Sequence, residues 1–176
     1  MRVALIIGHS AKDKGAINKK SGIQEFDYNN ELVGLISKSL MKLHIDHDVI
    51  YRQSYSGLPE KVNRTNADLA IEFHCNAFNE KATGTEMLYW HNSKNGKRLA
   101  ELCQSDVVSC LELPDRGVKP IDSNARGGNL LRYTNMPCII AESFFVDNDD
   151  DLYVGQTEMH RLAESYVCAI HEYMQG

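Results

Sequence analysis

No apolar run in this 176-residue sequence approaches the roughly 18 residues that a membrane span requires, so a helical membrane anchor is not expected. Cysteine supplies no framework. There are five, an odd number, and no Cys-x-x-Cys occurs, so neither a disulfide scaffold nor a cysteine zinc site is signalled. Reduced, buried thiols in a reducing compartment fit that usage. Basic charge is sparse and scattered: the net charge is −5, the pI is near 5.8, and the densest group is Lys12, Lys14, Lys19 and Lys20. A nucleic-acid binder needs a basic stripe, so nucleic acid is not the expected partner. The apolar run at residues 3–7 is too short for a signal-peptide core, and Gly8-His9 follows where a cleavage site would be needed. The expectation is a protein that starts in the cytoplasm. Repeats, low-complexity tracts and linkers are lacking too, and the length suits one domain over residues 1–176.

What is there alternates between two periodicities. Residues 2–7 form a short continuous apolar run, as a strand buried on both faces does. The polar stretch 8–22 reads as a loop. Phe26, Val33, Ile36, Leu40 and Leu43 fall on one helical face, predicting a helix over 24–43. Strands follow at 48–51, 68–74 and 84–90, with a short helix over 59–66 carrying Pro59 near its first turn. Ser93 is placed to cap a helix over 94–113, with Leu99, Leu102, Cys103, Val107 and Cys110 inward. Residues 114–136, with Pro114, Pro120 and Gly127-Gly128, read as irregular. A buried strand at 137–142 and a helix over 156–174 complete the chain. Strands alternating with helices predict an α/β single domain, a mostly parallel twisted sheet flanked by helices.

Ligands in such sheets bind outside the carboxyl ends of the strands. Three predicted strands end in residues fit for metal or acid–base chemistry: Gly8-His9, Phe73-His74 and Ala141-Glu142. Glu25 opens the first helix, and the loop 8–22 returns that helix to the same edge. Two histidines and a carboxylate form a catalytic zinc set that leaves one position open. A second carboxylate nearby can take a proton from water and hand it to a leaving amine. Blander readings stand beside this one. A histidine after a strand is often a hydrogen-bonded loop residue, Glu25 suits a helix N-terminus on dipole grounds, and Glu142 has Arg126 or Arg132 as an ion-pair partner. No compact HExxH is present to decide between them.

At these residues the sequence resembles the zinc-dependent N-acetylmuramoyl-L-alanine amidases of the type-3 family, bacterial cell-wall amidases and phage endolysins. The resemblance runs over residues 3–172. It rests on Ile7-Gly8-His9, on Gly22-Ile23-Gln24-Glu25 with Asn29 and Leu32, and on Arg64-Thr65-Asn66-Ala67-Asp68. It continues through Phe73-His74-Cys75-Asn76-Ala77, Gly84-Thr85-Glu86 and Leu131-Arg132-Tyr133-Thr134. Pro137, Glu142, Phe145 and Asn148 then stand in the family's order. The loop after His9 differs in carrying lysines where the family is glycine-rich. The resemblance implies one Zn²⁺ per chain on His9, Glu25 and His74, with Glu142 as general base and acid. It implies peptidoglycan as the partner, cleaved at the amide between N-acetylmuramic acid and L-alanine. Asn76, Arg126 and Arg132 become candidates for substrate contacts, the arginines as bidentate partners of stem-peptide carboxylates or as structural ion pairs. With no part of the chain left for a wall-binding domain, it suits a phage endolysin that waits in the cytoplasm until a membrane pore releases it.

Three other readings compete. A thiol hydrolase would use Cys75 with His91 or His160, but alternation along a strand turns Cys75 away from His74. A non-catalytic wall-binding module would lack one of the four site residues, and all are present. A related zinc peptidase acting on stem peptides or cross-links is the runner-up. His44 and His47 lie near a helix end that favours imidazolium, and His171 reads as a surface or packing residue.

Overall fold

Every residue of strand β1 (Arg2–Ile7) after the first is buried, as a strand covered on both faces requires. It is one of six strands in a computed structural model that describes residues 1–176. In chain order the other elements are α1 (Glu25–Lys42), β2 (Asp46–Tyr51), α2 (Leu58–Asn63), β3 (Leu69–Asn76), β4 (Thr85–Trp90) and α3 (Lys94–Leu111). There follow β5 (Asp115–Ile121), α4 (Gly128–Tyr133), β6 (Cys138–Phe145), α5 (Asp149–Thr157) and α6 (Met159–Gln175). The strands lie in the order β2-β1-β3-β6-β4-β5. β2, β1, β3 and β6 are parallel; β4 pairs antiparallel with β6, and β5 runs parallel to β4. The expected α/β domain with a mostly parallel sheet is therefore what the chain forms.

The two faces are unequal. Alternation along β3 sends Leu69, Ile71, Phe73 and Cys75 to one side, where α1, α3 and α6 close a cluster of 34 buried residues. Helix α6 contributes Leu162, Tyr166, Val167, Ile170 and Tyr173, spaced to form one inward stripe. The opposite face carries only α2 and α4 over a cluster of 11 buried residues, among them Ala4, Ile6, Ala70 and Ile140. Alternation along β3, β4 and β6 turns Glu72, His74, Glu86 and Glu142 to this thinner face.

Four expectations need correction. Residues 114–136 are not irregular: they contain β5 and α4. β5 is an edge strand, exposed or half-buried throughout, so it needs no apolar pattern, and an edge tolerates Pro120. β6 runs on to Phe145, past its predicted end at 142. The last helical stretch starts at Asp149 and breaks at Glu158 into two helices. The short helix expected over 59–66 stops at Asn63, and Asn66 takes a left-handed φ of 49°.

Candidate metal centre

β1 and β3 are parallel neighbours, so their carboxyl ends lie side by side. Gly8 donates its N–H to the Phe73 carbonyl at 3.0 Å, and His9 then turns with φ of 65°, a left-handed conformation that histidine adopts more readily than most residues. The turn lays the His9 ring edge-to-face on that of His74, with centroids 5.2 Å apart. Glu25, the first residue of α1, reaches between them. Its Oε1 accepts from His74 Nδ1 at 2.6 Å and from the Cys75 N–H at 3.1 Å. Its Oε2 accepts from the Ala16 N–H at 3.0 Å and faces His9 Nε2 at 3.2 Å. One ligand atom from each of His9, Glu25 and His74 lies within 4.8 Å of the others, and all three residues are buried.

The loop between β1 and α1 is shaped to this cluster. Gly15 has φ of 74°, and a Cβ there would sit 2.4 Å from Glu25 Oε2 and 2.7 Å from His9 Nε2. A Cβ on Gly8 would sit 2.6 Å from His74 Nε2. Only glycine leaves the three ligand groups room on these two sides. Asn18 pins the far end of the loop, donating to Asp149 at 3.0 Å.

The electrostatics favour a cation. Burial pushes the Glu25 carboxyl up, but the hydrogen bonds and charge of His74 and His9 outweigh it and hold Glu25 well below the usual carboxylate range. Burial pushes His74 down, but the carboxylates of Glu72, Glu25 and Glu142 hold it well above the ordinary histidine value. Buried carboxylate thus outnumbers buried cation. Two histidines and a carboxylate at this spacing, with glycine on two sides, fit a divalent metal of the zinc type.

Glu142 is set apart from the three. It is the register partner of His74 across β3 and β6, and of Glu86 across β4. Its Oε2 is shut off from solvent without a hydrogen-bond partner. Loss of water pushes the carboxyl up to about 7, with His74 and Arg126 pulling it down and Glu25 and Glu86 pushing it further up. A carboxyl tuned near neutrality suits proton transfer. Glu142 lines a cavity of about 70 Å³ with Arg52, Tyr55, Glu72, His74 and Arg126, room for a few waters.

Of the substrate candidates, Arg126 is brought to the cluster, its Nη2 lying 3.4 Å from His9 Nε2. Asn76 stands at the same edge and donates to Glu86 Oε1 at 2.7 Å, while Arg116 holds Glu86 Oε2 at 3.0 Å. Arg132 is not brought there. It lies over the rings of Trp90 and Tyr133 in a groove by Asn135 and Cys138, at the opposite end of β6 from Glu142. Cys75 faces the main core against Asn29, and burial pushes its thiol far up, away from nucleophilic use. Residue reasoning missed three contributors. Gly15 lacked any signal beyond being a glycine in the loop. Arg52 follows β2, a parallel strand whose carboxyl end the same edge rule covers, and donates to His9 Nδ1 at 3.3 Å. Glu72 was readable as an acid two residues before His74 on an otherwise apolar strand.

A family model described as N-acetylmuramoyl-L-alanine amidase matches residues 3–172. The chain belongs to this amidase family. It is similar to the uncharacterized protein YqiI of Bacillus subtilis (strain 168), with 31% identity over 175 residues, 94% of this chain and 81% of that protein. It is similar to the endolysin of Bacillus phage SPP1, with 29% identity over 185 residues, 97% of this chain and 65% of that protein. Among solved structures, the N-acetylmuramoyl-L-alanine amidase from Clostridium difficile 630 is similar at 27% identity and a TM-score of 0.87, over 99% of this chain and 97% of that one. The amidase family thus supplies both the fold and the expectation for the cluster at its strand ends.

Proposed function

We propose that the protein hydrolyses the amide between N-acetylmuramic acid and L-alanine in peptidoglycan, with one Zn²⁺ held by His9, Glu25 and His74. The observation that carries this reading is the buried His9–Glu25–His74 cluster with Glu142 on the adjoining strand. When bound, zinc supplies Lewis acidity, polarising a carbonyl and acidifying water. Glu142, near neutrality and at the cavity wall, accepts the proton of the attacking water and delivers it to the leaving nitrogen. Arg126 and Arg52 place two guanidinium groups beside the cavity, where a stem-peptide carboxylate meets forked donors. Asn76, tied to Glu86, borders the same edge and orients the peptide side of the bond.

Mass analysis of digested peptidoglycan tests the reading. New L-alanine amino ends without new reducing sugars are expected. Reducing ends would make the protein a glycosidase, and new D-amino-acid ends would favour a zinc peptidase of the cross-links. We further propose that it serves as a phage endolysin, a role supported by its likeness to the SPP1 endolysin. Cells producing it should then lyse only when a pore is also opened in their membrane. Lysis on production alone would remove that role.

A further inference from the structure

Glu72 is two residues before His74 on β3 and shares its face of the sheet. Its register partners on the neighbouring strands are Ile6 and Ile140, both buried, and its side chain lines the small cavity it shares with His74, Arg126 and Glu142. Only 2% of the residue is exposed, and Oε1 has no hydrogen-bond partner within ordinary distance. His74 Nε2 lies 3.4 Å from that oxygen. An ionised carboxylate taken out of water costs several kcal/mol unless a partner meets it. His74 is the one cationic side chain with a nitrogen within 4 Å of the Glu72 carboxylate, although Arg52 and Arg126 line the same cavity.

The two nitrogens of His74 face opposite groups. Nδ1 lies 2.6 Å from Glu25 Oε1, inside the ligand cluster, and Nε2 faces Glu72. An imidazole that ligates a metal has one nitrogen free for it and carries a proton on the other, and the group that accepts this proton fixes which is which. The backbone of Gly8 lies against the Cε1–Nε2 edge of the ring and leaves it space in this orientation. The second histidine has a weaker arrangement. His9 Nδ1 has Asp13 at 3.7 Å, but that carboxylate is 73% exposed and also meets Arg52 at 3.5 Å. Glu72 has no such competitor.

We infer that Glu72 is a positioning residue for the metal centre: by accepting the Nε2–H of His74 it holds the ring plane and the tautomer that present Nδ1 to the metal. The inference rests on the proposed zinc site. Glu72 touches neither metal nor substrate in this role; it acts through His74.

The test compares wild type, Glu72→Leu and Glu72→Gln, each stripped of metal and titrated with Zn²⁺ against a chromophoric chelator. The zinc-loaded proteins are also labelled with ¹⁵N-histidine, and the ring resonances of His74 report which nitrogen carries the proton. Wild type should bind one Zn²⁺ with His74 protonated at Nε2. Glu72→Leu should bind zinc about 10–100-fold more weakly, the usual cost of losing such a partner. Its Nε2–H signal should broaden or vanish. Removing one partner of this buried pair should also lower the variant's metal-free melting temperature, so the zinc titration and the ring spectrum, not stability, decide the role. Glu72→Gln keeps an acceptor oxygen and should lie between the two. Wild-type zinc affinity and an unchanged His74 spectrum in Glu72→Leu would overturn the positioning role while leaving the metal centre standing. A wild type that binds no zinc would remove the metal centre, and this role with it. If Glu72→Leu does not fold, Glu72→Gln decides: affinity weakened severalfold supports the role, and unchanged affinity with an unchanged ring spectrum refutes it.

Discussion

Glu25 and Glu142 are both carboxylates on the same sheet edge, yet their surroundings push them in opposite directions. Glu25 is gripped by two imidazoles and two backbone N–H groups and is held ionised. Glu142 has a buried oxygen with no donor and is pushed toward neutrality. The first environment suits a metal ligand and the second a proton carrier, as the proposed function requires. Glu142→Gln keeps the shape but cannot take a proton, so turnover should fall by about 10²–10⁴-fold. Zinc content, measured on the same protein, should stay at the wild-type level. Near-normal turnover would remove Glu142 from the chemistry, and lost zinc with an intact fold would make it a ligand. These residues were legible because each stands where an apolar run stops: His9, His74 and Glu142 at strand ends, Glu25 at a helix start. Arg126 was legible only as a member of a loop, and Arg132 looked the same. Nothing local distinguishes an arginine that reaches the cluster from one that lies on Trp90.

At the scale of elements, the loops around the site are anchored by a helix the sequence did not announce. Asn148 caps α5, accepting from the Asp150 and Asp151 N–H groups, and its amide donates to the Ala82 carbonyl. The capped turn presents Asp151 to Thr83, to the Gly84 N–H and to the Phe145 N–H. Its Asp149 receives Asn18 from the loop that carries Gly15. Asn148→Ala should therefore cost about 0.5–2 kcal/mol, the range for loss of an N-cap. Urea denaturation reads this directly, and an unmoved midpoint would show that the cap carries no stability. The triple aspartate favours a helix N-terminus through the dipole, but by composition it reads as a polar loop. The same ambiguity hid β5, whose outer edge faces water and so demands no alternation. The central strands left no such doubt, since burial on both sides requires an unbroken apolar run.

The whole molecule places a dense group of acids, Glu25, Glu72, Glu86 and Glu142, around one end of an apolar sheet. A cation bound only in the folded state adds its binding energy to folding. At a free zinc concentration 100 times the dissociation constant this is about 2.7 kcal/mol, or roughly 5–11 °C of melting temperature for a chain of this size. Calorimetry with and without a strong chelator should show the drop, and identical melting curves would argue against a zinc site. The α/β architecture and the edge that bears the site followed from alternating strands and helices. The reversed direction of β4 did not, because Thr85–Trp90 reads equally well either way along the chain. That reversal sets β6 between two blocks, β2-β1-β3 and β4-β5, which share no other strand border. β6 is also the last of the six strands in chain order. Without residues 138–145, the histidines stand on one block with no Glu142 beside them and no join to the other. A site drawn from both blocks is complete only once β6 has paired between them.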